Sequence, residues 1–114
     1  MRTFKRGDTV ESRFIFIDTN TREPIDVTSP VYDIVHFQSG VKIVDVVSTA
    51  LTHYGTGEYV STWIVPGTAA ENETYFVTAS GIHPVQGTST EIEDSFIVAP
   101  SNAFSNMVVK FTKD

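Results

Sequence analysis

Three histidines, His36, His53 and His83, are the side chains whose ordinary titration range lies closest to neutrality, and they stand in separate segments. A catalytic or metal-binding imidazole needs a second group in reach, either a carboxylate to orient it or another ligand at fixed spacing. Asp33 is three residues from His36, an odd separation that sends the two to opposite faces of a strand. The chain has no cysteine, which excludes thiol nucleophiles, disulfides and zinc–thiolate sites. No serine sits in a G-x-S-x-G elbow, and Ser80-Gly81 reads as the end of a strand. Asp18-Thr19-Asn20 opens like a calcium loop, but Arg22 stands where another oxygen ligand is needed and the sharp-turn glycine is missing. That stretch reads as a solvated hairpin. Glu91, Glu93 and Asp94 form an acidic cluster whose polar neighbours place it on a solvated rim, whereas a general acid needs burial to raise its pKa. No catalytic residue, metal or cofactor is assigned, and the chain is read as non-enzymatic.

At 114 residues the chain is one domain by size, long enough to bury roughly two thirds of its unfolded surface without staples. A formal net charge of −6 repels phosphate backbones, so nucleic acid is not an expected partner. No apolar run approaches the ~20 residues of a membrane span, and the first nine residues lack the apolar core of a signal peptide. The expectation is a protein made without export and not bound to membranes.

The elements that would position any site are strands. The stretch 54–66, YGTGEYVSTWIVP, shows how one is made. Gly55 and Gly57 permit a turn with positive φ, alternation begins at Glu58, and Pro66 cannot extend a central ladder. Tyr59, Ser61, Trp63 and Val65 share one face, which the larger rings mark as inward. Further strands are read at 9–17, 31–37, 41–51, 74–80, 91–98 and 104–112, with Ser39-Gly40 as a tight hairpin turn. Asp45 and Lys42 interrupt an apolar run, marking an exposed face or an edge. Arg6-Gly7-Asp8 reads as the turn that launches the first long strand, and residues 1–8 as an N-terminal arm. Seven antiparallel strands with short turns and no helix predict an all-β sandwich, with residues 103–114 as its terminal strand.

Two tyrosine-containing starts, Gly57-Glu58-Tyr59 and Glu73-Thr74-Tyr75-Phe76-Val77, resemble strand starts of immunoglobulin-like sandwiches, here without the bridging cysteine, since Val77 takes its place. Trp63 also falls later than that family's central tryptophan. An ordered set covers most of the chain. It runs Phe4-Lys5-Arg6-Gly7-Asp8-Thr9-Val10, Pro24-Ile25-Asp26, Gly57-Glu58-Tyr59, Thr74-Tyr75-Phe76-Val77 and Ser95-Phe96-Ile97-Val98. The set resembles the immunoglobulin-like modules of tailed-bacteriophage virions, found on capsids, necks, tails and baseplates. The resemblance implies an immunoglobulin-like β-sandwich that works on the virion, binding capsid or tail subunits and copies of itself. Phe4 and Arg6 in the arm, and Phe104 and Met107 in the last strand, are then the candidate partner-binding residues. The rival expectation is a carbohydrate-binding or host-adhesion module, with Tyr32, His53 and Tyr54 as an aromatic platform.

Overall fold

In β2 (Thr9–Ile15) exposed and buried positions alternate without a break. Val10, Ser12 and Phe14 turn inward while Arg13 and Ile15 face water, as the two-residue period of a strand requires. The computed structural model describes residues 2–100, so the expected strand at 104–112, with Phe104 and Met107, lies outside the described residues. The other elements are β1 (Arg2–Phe4), β3 (Thr28–Gln38), β4 (Val41–Ala50), β5 (Thr52–Gly55), β6 (Glu58–Ile64), β7 (Glu73–Ile82) and β8 (Ser89–Val98).

These strands form two sheets. The larger has the order β1-β8-β7-β3-β4 and the smaller the order β2-β6-β5. Every pairing is antiparallel except that of β1 with β8. The chain crosses from the larger sheet to the smaller at Leu51, which is buried and whose N–H donates to Pro30 O at 3.0 Å. The fold is all-β and sandwich-like, with one apolar core between the sheets.

Rings fill the centre of that core. Tyr75 and Phe96 stack nearly parallel with centroids 5.4 Å apart, and both are fully buried. Burial on that scale stabilises by roughly 1.5–3 kcal/mol per ring. Phe4 meets Phe96 edge-on at 5.6 Å, and Phe16 meets Tyr59 at 5.7 Å. Tyr59, Ser61 and Val65 point inward as expected. Trp63 leans on Tyr75 and Phe96 at 5.8 and 6.1 Å, but it is half-buried at the margin rather than central.

Three expectations are corrected. Residues 2–4 are not an arm but the strand β1, which three residues are too few to announce by alternation. The run read as one strand over 41–51 is followed at once by β5, so two strands abut without an intervening turn signal. Eight strands therefore stand among the described residues, where six of the seven predicted ones fall.

Turn chemistry explains the connections. Ser39 and Gly40 both have positive φ, 52° and 78°, which matches the twist of a two-residue hairpin. Gly57 has φ 70°, and its N–H donates to Asp26 Oδ1 at 2.7 Å. A Cβ there would lie 2.7 Å from Ile25 N and 2.8 Å from Phe16 O, so only glycine fits. The Arg6-Gly7-Asp8 tripeptide is a turn: Gly7 N–H donates to Val65 O at 2.7 Å and Asp8 N–H to Lys5 O at 3.0 Å.

Candidate interaction surface

Each histidine is paired with an aspartate from another segment, nine residues away for His36 and farther for His53 and His83. His83 Nδ1 accepts from the N–H groups of Val85 and Gln86 at 3.2 and 3.1 Å. The ring proton therefore sits on Nε2, which donates to Asp18 Oδ2 at 3.0 Å. Both nitrogens are committed, so the one lone pair of this imidazole is already engaged by backbone N–H groups. The His83 bond and the Asn20 N–H hold the Asp18 carboxyl below the usual carboxylate range. Asp18 Oδ1 meets the N–H groups of Asn20 and Thr21, which makes the expected hairpin loop a self-satisfied turn.

His53 Nε2 lies 3.0 Å from Asp26 Oδ1 on the surface of the smaller sheet. Asp26 is likewise held low, first by the Gly57 N–H and then by His53. His36 is buried, with Nδ1 2.6 Å from Asp45 Oδ2 and its ring 4.5 Å from that of Tyr75. Its Nε2 is buried without a hydrogen-bond partner among the described residues. Burial pushes the Tyr75 phenol up, and the Asp45 charge adds to the effect. Sequence reasoning missed the His36–Asp45 pair. A lone carboxylate and a lone imidazole on the two arms of one hairpin were the available signal. Among the described residues no group of three or more His, Asp and Glu is placed to hold a metal ion.

The aromatic platform is not assembled. Tyr32 is 5% exposed on the inner face of the larger sheet, with its hydroxyl donating to Thr62 O at 3.2 Å. His53 and Tyr54 lie on β5 in the smaller sheet, with neighbouring side chains on opposite faces. His53 meets the Tyr59 ring at 5.3 Å, and Tyr54 lies under the Arg13 guanidinium at 4.3 Å. Alternation divides a strand into two faces without saying which is inner, and Tyr32 fell on the wrong side of that division.

The expected partner-binding arm is also spent within the fold. Phe4 packs on Phe96, and the Arg6 guanidinium donates to Ala69 O at 2.7 and 3.0 Å and pairs with Glu71 at 3.3 Å. These contacts tie β1 and its turn to the loop before β7.

A different surface stands out. On the outer face of the larger sheet Val35 is opposite both Val44 and Phe76. Phe37 meets Phe76 edge-on at 6.2 Å. Phe37, Val44 and Val47 are 45%, 48% and 71% exposed. Val35, Val44 and Val47 floor a shallow groove rimmed by Asp33, Lys42 and Glu91. This is apolar where alternation predicts a polar, solvated face. No protein family, curated protein or solved structure matches this chain.

Proposed function

We propose that this protein is a non-enzymatic structural module of a tailed-phage particle, an immunoglobulin-like sandwich that binds neighbouring subunits. Its place is that of a capsid decoration or cement, or of a neck, tail or baseplate component. The observation that carries the reading is the apolar outer face built by Val35, Phe37, Val44, Val47 and Phe76. A contiguous apolar patch with a charged rim is what a protein–protein interface requires, and it costs solubility unless something covers it. The ordered sequence likeness to virion modules supplies the setting, and each of the three histidines is engaged by an aspartate of the fold itself.

Lysine at positions 44 and 47 tests the reading. The Val44→Lys/Val47→Lys chain is expected to fold with an unchanged melting temperature, since both side chains are already exposed. Its copy number on purified particles should fall by about tenfold or more, because a charge forced into an apolar interface is left unpaired. Undiminished occupancy would count against this face as the contact.

A further inference from the structure

His83 is the one histidine whose protonation state the backbone decides. At His36 and His53 one ring nitrogen is bonded to an aspartate and the other has no partner among the described residues, so a second proton breaks no hydrogen bond. His83 differs. A backbone N–H can only donate, so Nδ1, which takes the N–H groups of Val85 at 3.2 Å and Gln86 at 3.1 Å, must carry a lone pair. Nε2 then carries the ring proton and directs it at Asp18 Oδ2, 3.0 Å away. In this geometry the imidazole is neutral. A second proton has one place to go, Nδ1, and its arrival sets a donor against two donors.

The two sides of the ring respond to that proton in opposite ways. On the Asp18 side a positive imidazolium strengthens the bond to the carboxylate. Asp18 stays ionised in weak acid, because the His83 bond and the Asn20 N–H hold its carboxyl below the usual range. On the other side the turn loses its anchor. The bonds His83 N–H to Thr88 O at 2.8 Å and Gly87 N–H to His83 O at 3.0 Å close its ends, and Pro84 has no N–H to give. Val85 and Gln86 are held by Nδ1. Both are exposed, so water can take up their N–H groups, and opening the turn leaves no buried donor behind.

Among the described residues no other charge faces this ring. Of the side chains lining the cleft beside His83, only that of Asp18 is charged; the rest include Ile17, Val27, Gln86 and Thr90. Arg22 and Glu23, in the same loop as Asp18, meet it through the backbone, at 2.7 and 2.9 Å. Glu91 of β8 lines the groove on the outer face of the larger sheet instead.

We propose that His83 is a proton-operated latch on the turn 83–88. Neutral, it holds Val85 and Gln86 on its own ring; protonated, it stays on Asp18 and lets 84–87 go. Gln86 and Thr88 line the same cleft as Asp18 and Thr19, so acid loosens one part of that cleft while the loop at Asp18 stays pinned.

An NMR titration of the intact chain from about pH 8 to about pH 4.5, the span in which histidine ordinarily titrates, tests this. Long-range ¹H–¹⁵N spectra should show His83 as the Nε2–H tautomer at the alkaline end and Nδ1 gaining a proton on acidification. In the same transition the heteronuclear NOE of Val85 and Gln86 should fall. Exchange of their amides, corrected for its intrinsic pH dependence, should accelerate about tenfold, while Asn20 and Thr21 keep their protection. His83→Asn offers an oxygen acceptor in place of Nδ1 with no proton to gain, and should keep the turn ordered across the whole range. His83→Phe offers neither and should leave 84–87 loose at every pH. A ring that stays neutral throughout overturns the proposal, as does one that titrates with Val85 and Gln86 unchanged. So does acid loosening in His83→Asn equal to that of the parent, or loosening of 18–21 together with the turn. None of these readouts involves particle attachment, so the result is independent of the assembly reading.

Discussion

His36 and Asp45 meet across a β-bulge. Val35 is opposite Val44 and Ile34 opposite Val46, so Asp45 is the extra residue, and its carboxylate turns in to lie 2.6 Å from the buried imidazole. The pair is held at one end only, because His36 Nε2 has no partner among the described residues. Removing the carboxylate strands a second polar atom. Asp45→Ala should therefore cost about 1–3 kcal/mol in urea unfolding. The double variant His36→Phe/Asp45→Val removes both polar groups and should recover most of that loss. A double variant as unstable as the sum of its singles would show that the two side chains do not act together.

Gly57 is a position where backbone on two sides leaves no room for a side chain. Its positive φ, the 2.7 Å approach of Ile25 N to a would-be Cβ and its N–H bond to Asp26 all bear on the same residue. Gly57→Ala should destabilise by about 3 kcal/mol or more, since the obstructing atoms are backbone. Gly67 lies in open space with no positive φ, so Gly67→Ala is the matched control, expected within about 0.5 kcal/mol of the parent. Similar melting temperatures for the two variants would overturn the assignment of the 16–25–57 junction as the tight point of the fold.

Residues 2–6 bear on stability, because their side chains are spent inside the fold. Phe4 packs edge-on against the fully buried Phe96, and Arg2 bridges the two sheets. Phe4→Ala should cost about 2 kcal/mol, less than a central ring because the side chain is half-buried. Thermal melting measures it directly. No change would return β1 to the role of a free arm.

Much of this architecture is legible in the sequence because alternation is a local signal. The strand at 9–17, the Ser39-Gly40 hairpin and the inward set Tyr59, Ser61 and Val65 all follow from neighbouring residues. What was not legible depends on partners distant in the chain. β1 is three residues long and runs parallel to a strand some ninety positions later. Tyr32 is buried because its face of β3 is the one turned toward the core, a matter of how the sheets pack that its own neighbours do not encode. The outer patch escaped notice for a related reason. Val35, Phe37, Val44 and Phe76 each look like core residues, and only the strand order puts them on the outside.

The acid limb of stability should be set in part by Asp18 and Asp26. Both carboxyls are held below their ordinary range by hydrogen bonds that exist only in the fold, Asp18 chiefly by His83 and Asp26 chiefly by the Gly57 N–H. A carboxyl depressed on folding binds fewer protons in the folded state than in the unfolded one. Its contribution is therefore present above the unfolded pKa of about 3.9 and is lost as pH falls through the lower folded value. Urea midpoints should change little on this account between about pH 7 and pH 5, then fall steadily below about pH 4. Asp18→Asn/Asp26→Asn should be less stable than the parent at pH 7 and lose less on acidification, so the two curves converge. The asparagines keep an acceptor oxygen for the Asn20 and Gly57 N–H groups, while the change at Asp18 gives up the acceptor for His83 Nε2–H, so the difference includes the bond that chiefly holds Asp18 low. Parallel curves down to pH 3 would place the acid sensitivity in other carboxylates.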